Sequence, residues 1–117
     1  MPYMLLIMEP RGQRQARTDA EGREVYDRML QASAALKARG VLRTSQSLIT
    51  DTAGVRVRVR DGKRLTVDGP FAESKEMIGG YFILDVDTRE EAVAIASEIP
   101  AAEWATIEVR EFGPCFA

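Results

Sequence analysis

Ile78-Gly79-Gly80-Tyr81-Phe82-Ile83-Leu84-Asp85-Val86 decides the fold. Side chains alternate across a strand, so Tyr81 and Ile83 fall on one face and Phe82, Leu84 and Val86 on the other. A strand apolar on both faces is buried on both, and therefore central in its sheet. Gly79-Gly80 within it marks a bulge or a close approach of backbone to a neighbour. Tyr3-Met4-Leu5-Leu6-Ile7-Met8 is a second run of the same kind.

Each central strand has a helix nearby. Thr18-Asp19-Ala20-Glu21 is a capping box, with the Thr18 hydroxyl positioned for the Glu21 amide and the Glu21 carboxylate for the return bond. It opens a helix running to about Arg39, where Gly40 supplies the stop. Val25, Met29, Ala32 and Leu36 recur at helical spacing, widened by Tyr26 and Leu30, and are expected to be core. Thr88-Arg89-Glu90-Glu91 is a second capping box. It precedes Ala92, Ile95, Ala96 and Ile99 at helical spacing, and Pro100 ends that helix. Pro10 to Arg17 reads as a polar turn. Leu42 to Thr50 and Thr106 to Arg110 read as further strands, and Trp104 as a core or interface anchor.

Val55-Arg56-Val57-Arg58-Val59-Arg60 and Lys63 to Val67 flank Asp61-Gly62 as a hairpin. A three-residue loop, Arg60-Asp61-Gly62, pairs Val55 with Val67 and Val57 with Leu65, keeping the apolar set together. In that register Asp68 shares a face with Arg56 and Arg58. The element order is βαββαβ with an extra hairpin. The expected class is α+β: a ferredoxin-like antiparallel sheet with two helices on one face. The other face is left uncovered although the central strands are apolar there too, so a second sheet from another copy, a homodimer, is expected.

Composition narrows the chemistry. The 117 residues make a single domain, 1–117, with no histidine, one cysteine and a net charge of −2. Without histidine, the commonest base near neutral pH and the commonest metal ligand are missing. Cys115, close to the C-terminus, reads as a tail residue without a catalytic partner. No metal cluster, phosphate loop or nucleotide motif is found, so neither metal nor cofactor is expected. The interspersed charges point away from nucleic acid, and no apolar run is long enough to span a membrane. The N-terminal run lacks a basic leader region and reads as the first strand. A cytoplasmic location is expected.

Asp68-Gly69-Pro70-Phe71-Ala72-Glu73-Ser74-Lys75-Glu76 lies between the hairpin and the strand quoted first. Together with Tyr3 to Ile7, Gly40-Val41-Leu42, Val55 to Arg58, Gly79-Gly80-Tyr81-Phe82 and Glu108-Val109-Arg110, it resembles the DGPF branch of the YCII-related proteins. The resemblance covers nearly the whole chain. It implies a dimeric α+β barrel, two ferredoxin-like sheets enclosing a cavity, and a possible link to alternative sigma factors as a regulatory or accessory protein. Related members carry a His–Asp pair in the cavity. Asp68 resembles the counterpart of that aspartate, but no histidine exists to complete the pair, and no reaction follows from the likeness.

Two readings of the motif stay open. In the structural one, Pro70 stops the strand, Asp68 caps the turn and Phe71 pins the loop to the core. In the functional one, Asp68 is a catalytic carboxylate in the inter-sheet cavity. Arg56 and Arg58 then bind a small aromatic or carboxylic molecule, with Phe71 and Tyr81 as further ligand contacts. Without a cavity, Arg56 and Arg58 are a solvated edge-strand face. Glu73, Lys75 and Glu76 are a solvated loop or, alternatively, a lid.

Overall fold

The computed structural model describes residues 2–117. Its main sheet has four antiparallel strands: β1 (Tyr3–Pro10), β2 (Leu42–Ser47), β5 (Glu76–Leu84) and β6 (Thr106–Glu111), in the order β2-β5-β1-β6. The two doubly apolar runs, β1 and β5, are the central strands. Short α1 (Gln13–Ala16) and long α2 (Asp19–Ala38) follow β1, and α3 (Arg89–Glu98) follows β5. This is the expected ferredoxin-like α+β order, with a separate hairpin, β3 (Val55–Arg60) and β4 (Lys63–Asp68), inserted before β5. Among the described residues, no helix is long and apolar enough to cross a membrane.

The helix boundaries follow from their caps. Thr18 accepts from the Glu21 amide at 3.1 Å while Glu21 accepts from the Thr18 amide at 2.8 Å. Thr88 likewise accepts from the Glu91 amide, at 3.1 Å, but the Glu91 carboxylate accepts from the Thr88 hydroxyl at 3.2 Å instead of closing the box on the backbone. On the covered face of the sheet, Tyr3, Leu5, Ile7, Phe82 and Leu84 pack against α2 and α3. Ala92, Ile95, Ala96 and Ile99 are all buried there, as their spacing predicts.

The stripe on α2 departs from expectation. Leu36 alone is buried along it, Met29 packs partly against the core, and Tyr26 and Leu30 are about half exposed, at 50% and 49%. The sheet beneath the N-terminal half of α2 presents Gly79, Gly80 and Ser45, which are too small to meet these side chains. A chamber remains between helix and sheet.

The hairpin register also differs. Asp61 and Gly62 both have positive φ, 51° and 74°, forming a two-residue turn that pairs Arg56 with Val67, Arg58 with Leu65 and Val55 with Asp68. Both strands of the hairpin are exposed throughout. No buried face penalises the mixed arrangement, so the preference of Asp-Gly for a two-residue turn prevails. Asp68 therefore shares a face with Val55 and Thr66, and the expected Asp68–Arg56–Arg58 face does not form. With this arm projecting, the radius of gyration is 16.0 Å, against roughly 13–14 Å for a compact chain of this length.

Candidate functional site

Two cavities are divided by the segment Leu48–Ile49, which lines both. One, of about 530 Å³, lies where Met8 and Ile78 of the uncovered sheet face meet the 3-10 turn Asp51–Ala53 and Phe71. Its polar wall is a network. Arg11 donates two parallel bonds to Asp51, Nη1 to Oδ1 at 3.0 Å and Nη2 to Oδ2 at 2.6 Å, and its Nε donates to the Ser74 carbonyl at 2.7 Å. The Phe71 amide donates to Asp51 Oδ2 at 3.4 Å. Arg56 lies over the Phe71 ring, 3.9 Å from its centroid, and donates to Glu73 at 2.8 Å.

These contacts set the electrostatics. The hydrogen bonds from Arg11 hold the Asp51 carboxyl below its usual range, aided by the Phe71 amide, while partial burial opposes them. Glu73 is lowered by its own backbone N–H and then by Arg56. The arrangement offers a planar cation stacked on an aromatic ring beside a fixed guanidinium–carboxylate pair, a geometry suited to carboxylates and flat apolar groups.

Asp68-Gly69-Pro70-Phe71 docks onto this turn. The Gly69 amide donates to the Gly54 carbonyl at 2.8 Å, and the Gly69–Pro70 peptide is cis. A Cβ on Gly69 would lie 1.8 Å from the Asp51 carbonyl oxygen, so only glycine fits. Phe71 is buried, but against Gly54 and Arg56 and not in the main core, so it pins the loop to the 3-10 turn and hairpin instead. The turn cap expected of Asp68 belongs to Asp51: among the described residues Asp68 is exposed and its side chain makes no hydrogen bond.

Of the residues singled out in the sequence, Arg56 and Phe71 meet in this cavity. Arg58 and Asp68 line neither cavity, and Tyr81 lines the other one. Sequence reasoning missed Arg11 and Asp51, forty positions apart, and no local pattern links them. It also missed Glu9 and Arg14, although Glu9 continues the buried alternation of Tyr3, Leu5 and Ile7.

The second cavity, of about 380 Å³, is the chamber beneath α2. Glu9, 6% exposed, is the one buried charged residue among those described. Its Oε1 is ion-paired with Arg14 Nη2 at 2.6 Å. Arg14 also donates to the carbonyls of Leu48 at 2.8 Å and Gly79 at 3.3 Å. Among the described residues, no group of three His, Cys, Asp or Glu side chains is placed to hold a metal.

The fold and these cavities describe a small ferredoxin-like α+β protein with room for a ligand on either side of its sheet. A family model for the YCII-related domain matches residues 1–114, and the chain belongs to this family. It is also similar to the uncharacterized protein R00369 of Rhizobium meliloti (strain 1021). The two are 29% identical over 93 residues, covering 76% of this chain and 75% of that protein.

Proposed function

We propose that the protein is a homodimer that binds a small aromatic or carboxylic molecule between the uncovered faces of two sheets. The carrying observation is the uncovered face itself. Met4, Leu6 and Met8 of β1 and Tyr81 and Ile83 of β5 lie there without a covering helix, and Met8 continues into the cavity walled by Arg11, Asp51, Arg56 and Phe71. A second copy laid on this face removes apolar surface from water, at about 25 cal/mol per Å². It also encloses the polar wall, where the guanidinium–carboxylate attraction strengthens as water is excluded.

In this reading Arg56 and Phe71 are the ligand contacts, Arg56 pairing with an anionic group while Phe71 holds its orientation. Arg58 is not required by it, and Tyr81 contributes apolar surface to the uncovered face and no ligand contact. No reaction is assigned, and Asp68 as a catalytic carboxylate is tested separately: turnover unchanged in Asp68→Asn rules that role out.

Sedimentation analysis combined with benzoate titration tests the proposal. A dimer is expected, with benzoate binding weakened by roughly tenfold in Arg56→Ala, the size of one charge-assisted hydrogen bond. Leu6→Asp, which places a charge on the uncovered face, is expected to give monomers. A wild-type chain that stays monomeric throughout, or binds benzoate as well after Arg56→Ala, overturns it.

A further inference from the structure

The chamber beneath α2 is separate from the cavity just discussed and lies on the other side of the sheet, between Ile7 and Phe82 of the sheet and Met29 and Leu30 of α2. Its volume, about 380 Å³, falls within the roughly 300–1,000 Å³ typical of small-molecule sites. It runs beneath α2 from Gly22 to Ser33, roughly 16 Å of helix at 1.5 Å per residue, so it is elongated. Tyr26, Leu30 and Leu48 line it and remain 50%, 49% and 42% exposed. An apolar body laid along the chamber removes that surface from water.

Trp104 lines the chamber and carries two guanidinium groups. Arg28 lies 5.2 Å from the indole centroid and Arg17 lies 5.6 Å from it, both within cation–π range. They differ in what their N–H groups do. Arg28 donates to both carboxylate oxygens of Glu103, at 3.2 and 3.1 Å, and does not line the chamber. Arg17 does line it, and among the described residues its guanidinium donates no hydrogen bond and has no ion-pair partner. Glu21 feels the Arg17 charge, but its carboxylate is engaged by the Thr18 amide at 2.8 Å. The indole face steadies Arg17 and leaves its N–H edge unspent.

The charges on the wall select the polar end of the ligand. Glu9 and Arg14 neutralise each other at 2.6 Å, so Arg17 leaves one positive charge without a counterpart among the lining residues. A single carboxylate balances it, and its two oxygens match the guanidinium fork. An ammonium group would add a further cation. A second carboxylate on the same ligand would be carried along the apolar wall of Met29 and Phe82, where an unpaired charge is costly.

We infer that the chamber between α2 and the sheet is a binding site for an elongated apolar monocarboxylate, its carboxylate on Arg17 beside the start of α2 and its apolar body between Leu30 and Phe82. Trp104 is the only tryptophan in the chain and lines this chamber. Its fluorescence therefore reports occupancy here and not beside Phe71.

The test titrates the full chain with octanoate, octanol, octylamine and suberate, four probes built on eight carbons. Octanoate is expected to change Trp104 fluorescence saturably and to bind roughly tenfold more tightly than octanol, the size of one charge-assisted hydrogen bond. Octylamine and the dicarboxylate suberate are expected to bind more weakly than octanoate. Arg17→Gln is expected to weaken octanoate roughly tenfold and to leave octanol unchanged. Arg28→Gln, on the same indole but outside the chamber, is expected to leave octanoate binding unchanged, and Val25→Phe, which adds bulk inside the chamber, to weaken octanoate and octanol alike. Arg56→Ala is expected to leave all four affinities unchanged, so this site stands or falls independently of the dimer cavity. Equal binding of octanoate and octanol, tighter binding of octylamine or suberate, equal losses in Arg17→Gln and Arg28→Gln, full binding in Val25→Phe, or no saturable response to octanoate overturns the inference.

Discussion

Replacing Gly69 by alanine probes the contact on which the 68–71 loop depends. A Cβ built there lies 1.8 Å from the Asp51 carbonyl oxygen, 2.9 Å from its carbon and 3.3 Å from the Gly54 oxygen. Comfortable contacts begin near 3.5 Å, so one backbone segment must retreat by roughly 1.5 Å. No flexible side-chain end can absorb this, because all three neighbours are backbone atoms. The retreat breaks the 2.8 Å hydrogen bond from Gly69 to Gly54, costing about 1 kcal/mol. Overpacking adds about 1–3 kcal/mol, giving about 2–4 kcal/mol in total. For a domain of this length that lowers Tm by roughly 8–16 °C. Thermal unfolding followed by circular dichroism is the assay, with Gly22→Ala as its control. A Cβ on Gly22 meets nothing within 4 Å and lies inside α2, so alanine should stabilise by about 0.5–1 kcal/mol. A Tm for Gly69→Ala within about 2 °C of the parent, or equal shifts for the two variants, refutes the steric argument.

Leu5→Ala should destabilise by about 2–5 kcal/mol, because Leu5 is fully buried between the helices and the sheet; urea denaturation with an unchanged m-value checks it. Acid should weaken the loop network in a defined window. Asp51 is lowered from its ordinary value of 3.8, so the stability it contributes is complete above about pH 4 and is lost as pH falls through the lowered folded value. Asp51→Asn should flatten that acid limb in thermal melts between about pH 2 and 5; an unchanged slope contradicts the assignment.

Much of the architecture was legible because it rests on local periodicity. The Thr18 capping box, the Thr88 N-cap without its return bond, the Ala92–Ile99 spacing and the central β1 and β5 follow from it. Where the reading failed, a competing force was at work. Keeping the apolar residues on one face favours a three-residue hairpin loop, but neither face is buried, so the turn residues decide the register. Helical spacing puts Tyr26 and Leu30 in the core, but it cannot reveal that glycines and a serine lie opposite. The site was less legible. Phe71 stands out through the motif that joins hairpin to β5, and Arg56 through a hairpin register that the structure does not adopt. Glu9 carried a readable signal in its phase with Leu5 and Ile7, while Arg11 and Asp51 carried none.

Apart from α1 (Gln13–Ala16), which reads as a turn, and the start of β5 at Glu76, the sequence taken alone determined the two long helices with their caps, the order of the strands and which of them lie in the centre. Each of those depends on a few neighbouring residues and their period. Tertiary structure alone decided which polar groups meet: Arg11 with Asp51, Arg56 with Phe71, Arg14 with Glu9. Such meetings depend on strand register, on a glycine that lets one backbone approach another, and on a helix held off its sheet. None of these is encoded by the spacing of residues along one segment.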